Sequence, residues 1–125
     1  MIDYLTVDDL LEVARRVVDG EMLIRDAGLL ASAAERPRTT VFGQDAYSGI
    51  WEKAAALIES LGRNHALIDS NKRLAWNAAW LFLGLNGHML RGPLDEDLAE
   101  QFVVDVVTGK LEISRIAAGL LSFAD

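Results

Sequence analysis

Cysteine is absent from the chain, which excludes disulfides, cysteine-based zinc sites and thiol catalysis and is compatible with a reducing compartment. Histidine occurs only at His65 and His88, far apart and outside any His-Glu-x-x-His pattern, so a zinc centre is not indicated. No apolar run approaches the roughly 20 residues needed to cross a bilayer. The opening MIDYLTVDD carries early acids rather than a cationic stretch followed by an apolar one, so no membrane span or secretory signal is expected. Neither a P-loop pattern nor Gly-x-Gly-x-x-Gly occurs. Positive charge is scarce: 12 lysines and arginines face 19 aspartates and glutamates, a formal net charge of −7. General nucleic-acid binders draw most of their affinity from phosphate neutralisation, so direct DNA binding is disfavoured. An acidic surface leaves room instead for a cationic partner segment. The expectation is a soluble, cytoplasmic protein.

The 125 residues, 51% of them apolar, fit one domain over residues 1–125 with enough length to bury its own core. Apolar positions recur at helical spacing nearly throughout, with no repeat or linker. A first helix is expected from about Thr6, which can cap it in a capping-box relation with Asp9, to Gly20. Its stripe is Leu10, Leu11, Val13, Ala14, Val17 and Val18. A second covers about Asp26 to Ala34, with Leu29, Leu30 and Ala33 inward. Residues 35–47, ERPRTTVFGQDAY, break the pattern at Pro37 and Gly43 and read as extended from Thr39 to Phe42, either a binding edge or a surface connection. A third helix runs from about Ser48 to Arg63. A fourth runs from about Asn71 to the stop signal Asn86-Gly87. Leu74, Ala75, Ala78, Ala79, Leu81, Phe82 and Leu85 make the fourth apolar on most sides, the mark of a helix in the middle of a bundle. A fifth starts near Asp95 and ends at Thr108-Gly109, with Leu98, Phe102, Val103, Val106 and Val107 inward. Ser114 can cap a last one that buries Ile116, Ala117, Leu120 and Leu121. The predicted class is all-α, a compact bundle of about six helices around a central hydrophobic one. Trp51, Trp76 and Trp80 read as core, with an aromatic platform for a base as the alternative, and His88 as structural or solvated.

Residues 65–73, HALIDSNKR, stand between the third and fourth helices, just ahead of the most apolar segment. A core has no use for such residues; an anion site can use all of them. The start of a helix offers unpaired N–H groups and a positive dipole end. Ser70, Asn71, Lys72 and Arg73 lie there, and Arg73 can take two oxygens at once. Two cations at that end oppose the dipole, a local violation of helix preference that a bound anion would relieve. Asp69 is either the helix N-cap or a Mg²⁺ ligand, since Mg²⁺ takes one or two carboxylates with substrate phosphates. His65 is either a hydrogen-bonded loop histidine or a base for an attacking hydroxyl. Arg63 is close in sequence, and Asn77, four residues after Arg73, either joins the site or satisfies backbone.

His65, Asp69, Asn71, Lys72 and Arg73 at this spacing resemble the motif of the Fic/Doc superfamily, H-x-F-x-D-x-N-K-R in its Doc branch, the death-on-curing toxins. The chain size, the order of helices, GLL at 28–30 and TGKLEIS at 108–114 are Doc-like too, so the resemblance covers nearly the whole chain. Fic enzymes that transfer AMP carry glycine where Lys72 stands and a second arginine where Trp76 stands; both departures are those of Doc. The resemblance implies a protein serine/threonine kinase that moves the γ-phosphate of ATP to a threonine of elongation factor EF-Tu and inhibits translation. It also implies a Phd-type antitoxin whose C-terminal segment fills a groove. It assigns His65 as general base and Asp69 as Mg²⁺ ligand. ATP phosphates fall to Asn71, Lys72 and Arg73 with the Ser70 backbone, and Arg63 and Asn77 are added as polar site residues. The loop at 38–43 corresponds to the flap that aligns the target segment. Leu67 replaces the motif phenylalanine, Ser70 follows Asp69, and Leu74 stands where Doc often has threonine. An AMP-transferring enzyme and a catalytically silent interaction module remain as alternatives.

Overall fold

The computed structural model describes residues 1–125. Its six helices are α1 (Val7–Val17), α2 (Ala27–Glu35), α3 (Ile50–Asn64), α4 (Asn71–Leu85), α5 (Glu96–Val107) and α6 (Ile113–Ser122). A 3₁₀ turn (Arg36–Arg38) and a two-stranded antiparallel hairpin, β1 (Thr40–Val41) with β2 (Gln44–Asp45), join α2 to α3.

Local chemistry accounts for the helix starts. Thr6 and Asp9 form the expected reciprocal cap, Asp9 N–H donating to Thr6 Oγ1 at 3.1 Å and Thr6 N–H to Asp9 Oδ2 at 2.8 Å. Asp26 accepts from the N–H groups of Gly28 and Leu29, and Asp95 from that of Leu98. At α3 the Glu52 carboxylate reaches back to the Ser48 hydroxyl and the Gly49 N–H. Those hydrogen bonds hold it below the usual carboxylate range. Two expectations fail. The first helix ends at Val17 rather than Gly20, because Val18 turns to extended backbone and Gly20 (φ 85°) bends the chain away. Glu112, not Ser114, is the N-cap of α6: its carbonyl accepts from both Arg115 and Ile116 N–H, which draws Ile113 and Ser114 into the first turn.

α4 packs along α3 and against α1 and α5. It buries Leu74, Ala75, Ala78, Ala79, Trp80, Phe82 and Leu83. It is not apolar all round: Arg73, Asn77, Leu81 and Leu85, spaced four apart, form an exposed strip. Leu98 and Leu121 are also exposed, each one residue and so about 100° off the buried stripes Ala99–Val103–Val106 and Ile116–Ala117–Leu120. Trp80 is buried; Trp51 and Trp76 are half-buried against the core, with Trp76 edge-on to Phe123 and Trp51 beside His88.

Gly62 is buried within α3, and a Cβ there would press on Val107 of α5. Gly62→Val is expected to cost about 2–3 kcal/mol through overpacking, seen as a Tm lowered by roughly 5–15 °C in a thermal melt.

The segment 35–47 is neither bare loop nor core. Its hairpin is solvent-exposed, with Phe42 at the tip in left-handed conformation (φ 51°). Lys53, wholly buried in the first turn of α3, ties it down: Nζ donates to the Pro37 carbonyl and pairs with Asp45 at 3.1 Å. The 15-residue α3 is roughly 22 Å long, and His65 caps its other end. The hairpin is therefore rooted at the end of α3 remote from the histidine.

Candidate active site

Three devices shape the turn that carries residues 65–70. The first is at the end of α3, where His65 adopts left-handed backbone (φ 54°, ψ 57°) and ends the helix. For a residue with a Cβ this conformation costs about 1–2 kcal/mol. The Arg25 side chain grips the carbonyls exposed there, Nε donating to His65 O at 2.6 Å and Nη2 to Asn64 O at 2.8 Å. The second is a short antiparallel pairing of the segment before α2 with the turn, bridging Ile24 and Leu67. In it Arg25 N–H donates to Ala66 O and Ile68 N–H to Leu23 O. The third is Asn71, whose side chain bonds both backbone groups of Leu67, its Oδ1 accepting from N–H at 3.0 Å and its Nδ2 donating to C=O at 2.9 Å. Leu67 is buried in the core, as the smaller replacement for phenylalanine requires.

The turn then delivers the start of α4. Asp69 does not cap it. Ser70 takes the N-cap position in left-handed conformation (φ 70°), which points its side chain away from the first-turn amides, and no side chain caps the helix. The amides of the first turn, with the positive end of the α4 dipole, are left for an external acceptor. The Ser70 hydroxyl donates to Asp69 Oδ1 at 3.1 Å and accepts from Arg73 Nη2 at 2.9 Å. Arg73 also reaches Asp19, in the α1–α2 connection, at 3.4 Å. Asp19 is almost fully exposed, so this pair contributes little to stability and opens readily. Lys72 is exposed and makes no ion pair. His65 and Asp69 are likewise exposed.

The predicted residues divide. His65, Asp69, Ser70, Lys72 and Arg73 line one exposed turn and helix start. Asn71 is there too, but its side chain is spent on the turn, leaving its backbone for a ligand. Asn77 is exposed on α4, its Nδ2 donating to the Arg73 carbonyl one turn back. Arg63 departs from expectation: its Nε donates to Val106 O, its Nη2 to Leu111 O, and its Nη1 pairs with Glu59 at 2.7 Å. Its whole guanidinium joins α3 to α5 and the α5–α6 connection. Arg25 and Asp19 carry contacts to the motif that the sequence reading did not assign.

No cluster of three or more histidine, aspartate or glutamate side chains could hold a metal by itself. Asp69 offers one exposed carboxylate with Oδ1 engaged by Ser70. Such a donor set fits Mg²⁺ shared with substrate phosphates and water. Two open grooves flank the exposed strip of α4. One, about 530 Å³, lies between α4 and α5 and includes Lys72, Arg73, Trp76, Asn77, Glu96 and Glu100. The other, about 430 Å³, lies between α1 and α4 and includes Asp9, Glu12, Arg16, Asn77 and Leu81.

Residues 4–83, well over half the chain, match the Fic/DOC family. The chain belongs to that family. It is 48% identical over 124 residues to a protein named Toxin Doc from Mycolicibacterium smegmatis, an alignment covering 99% of this chain and 95% of that one. Within the Fic/DOC family it falls in the Doc branch. The matched residues include α1 to α3, the turn and nearly all of α4, so the family region contains the whole candidate site. No helix is long and apolar enough to cross a membrane.

Proposed function

We propose that this Doc-branch protein is the toxin of a toxin–antitoxin module and a protein kinase that transfers the γ-phosphate of ATP to a threonine of EF-Tu, inhibiting translation. The observation that carries the reading is the uncapped start of α4, with free Lys72 and loosely held Arg73 on it and exposed His65 in the turn leading to it. Phosphoryl transfer asks for positioning and charge stabilisation more than covalent chemistry, and these residues supply both.

In the proposed reaction the backbone amides of Ser70, Asn71 and Lys72 and the side chains of Lys72 and Arg73 hold phosphate oxygens. Arg73 exchanges Asp19 for phosphate, and Ser70 keeps its guanidinium beside Asp69. His65 accepts the proton of the threonine hydroxyl as that oxygen bonds to the γ-phosphorus; the bond to the bridging oxygen breaks and ADP leaves. Asp69 would hold Mg²⁺, which supplies charge neutralisation at the phosphates when bound. The Lys72 side chain occupies the position at which AMP-transferring relatives carry glycine, which supports transfer of the terminal phosphate over transfer of AMP.

The antitoxin partner, of Phd type by resemblance, is assigned to the exposed strip of α4. Asn77 is shared by the grooves on both sides; each mixes acids with cations, Asp9 and Glu12 beside Arg16 on one and Glu96 and Glu100 beside Lys72 and Arg73 on the other, and the acids offer partners to cationic side chains of the C-terminal segment. Induced expression in bacteria tests the toxin reading. Growth and protein synthesis are expected to stop, and to resume when a Phd-type antitoxin is co-expressed. Unimpaired growth at high expression would contradict it.

A further inference from the structure

A helix that ends on a residue with positive φ ordinarily uses glycine or asparagine there. Here the residue is His65, and a side chain 40 positions earlier in the sequence grips the two peptide groups on either side of it. The carbonyls of Asn64 and His65 belong to consecutive peptide planes, and the only torsions between those planes are φ and ψ of His65. The Arg25 guanidinium is a rigid planar fork. When Nε bonds one carbonyl at 2.6 Å and Nη2 the other at 2.8 Å, the relative orientation of the two planes is set, and with it the backbone of His65. The direction of the Cα–Cβ bond, from which the imidazole departs, follows.

Arg25 is itself held. Its N–H donates to the Ala66 carbonyl at 2.8 Å, the Asp26 N–H donates to the same oxygen at 3.0 Å, and Ile68 N–H closes the pairing onto Leu23. Asp26 in turn caps α2. The fork is thus mounted on the start of one helix and fastened to the end of another. Its positive charge also sits at the negative end of the α3 dipole. A contact needed only to end the helix would be served by a single donor or by water; a two-pronged grip around one residue fixes that residue's conformation.

We infer that Arg25 is a positioning residue for His65: it holds the histidine backbone in the left-handed region and so fixes the direction in which the imidazole leaves the turn. The catalytic consequence rests on the proposed role of His65 as base; the conformational consequence does not.

Two variants test it. Arg25→Met keeps a side chain of similar reach without donors, and Arg25→Lys keeps the charge with one nitrogen that cannot fork. In each, the His65 backbone is read by its amide–α-proton coupling and Cα shift in NMR, and transfer is read as separate kcat and KM values. In Arg25→Met, His65 is expected to leave the left-handed region. The kcat should fall about 100-fold, with KM for ATP within about twofold because the α4 amides are untouched. Arg25→Lys should fall between it and the parent, and it serves alone if the Met variant does not fold. A His65 backbone that stays left-handed in both variants would overturn the inference whatever the activity, and so would a displaced His65 with unchanged kcat. Absence of transfer in the parent protein would count against the kinase reading, and the NMR comparison would still decide the role of Arg25.

Discussion

Replacing His65 with alanine is expected to lower phosphate transfer by about 10²–10⁴-fold, the range of a lost general base, and to abolish growth arrest in cells. Nucleotide binding should be nearly unchanged, because the proposed phosphate donors lie on α4 and not on the histidine. The imidazole is exposed, so removing it opens no cavity. The Arg25 grip and the Asn71 clamp bond backbone groups that alanine retains. Helix content by circular dichroism should therefore match that of the parent. His65→Asn is the sharper companion, since asparagine tolerates left-handed backbone better than alanine does. If either folded variant remained as active and as toxic as the parent, the base would have to be another group.

Asp69→Ala carries the second large effect. Its carboxylate is the only acidic side chain within the turn, and Oδ1 already fixes the Ser70 hydroxyl, which in turn receives Arg73. Alanine removes the proposed Mg²⁺ ligand and also frees Ser70 and Arg73 to move. A loss of about 10²–10³-fold, the scale of removing one electrostatic stabiliser from a reacting site, is expected in transfer. The remaining activity should no longer respond to Mg²⁺ concentration in the range where the parent does. Asp69→Asn separates the two roles: it keeps an oxygen for Ser70, so the geometry should survive while the Mg²⁺ response is lost. Equal parental activity with Mg²⁺ and with chelator would contradict the ligand role.

All six helices are legible from the helical spacing of their apolar residues, and four carry a further local signal: the Thr6–Asp9 reciprocal cap of α1, the aspartates at 26 and 95 that start α2 and α5, and the turn at Asn86-Gly87 that ends α4. These are interactions between near neighbours in sequence. The failures come from longer range or finer angle. Leu98 and Leu121 were assigned to the core, but one residue of helix is about 100° of rotation, enough to move a side chain from the stripe to the surface. Leu81 and Leu85 count toward an all-round apolar α4 because composition averages over its faces; the available mark is polar Arg73 and Asn77, which continue at four-residue spacing into Leu81 and Leu85 on the strip that no neighbour covers. The family resemblance adds Arg63, two positions before His65, as a polar site residue. Residues two apart point to opposite sides of a helix, and its guanidinium closes on Val106 and Leu111 instead.

The motif itself was readable as a set of residue types but not as a geometry. Serine ahead of a helix is normally an extended cap, so the left-handed Ser70 that leaves the α4 start uncapped has no signature in composition or period. Asn71 resembles a phosphate ligand in the motif, yet its side chain is the clamp that closes the turn. Arg25 was invisible because its partners lie 39 and 40 residues away. The available clue was indirect: a histidine ending a helix without glycine needs its carbonyls satisfied from elsewhere.

In the proposed reaction the terminal phosphate of ATP is what moves. The deciding experiment incubates the purified protein with Mg²⁺ and EF-Tu in two reactions, ATP labelled at the γ-phosphate in one and at the α-phosphate in the other, with His65→Ala beside each. Label on EF-Tu from the γ-position alone, absent with the variant, is the expected result. Label from the α-position would mean AMP transfer and would contradict both the kinase reading and the role given to Lys72.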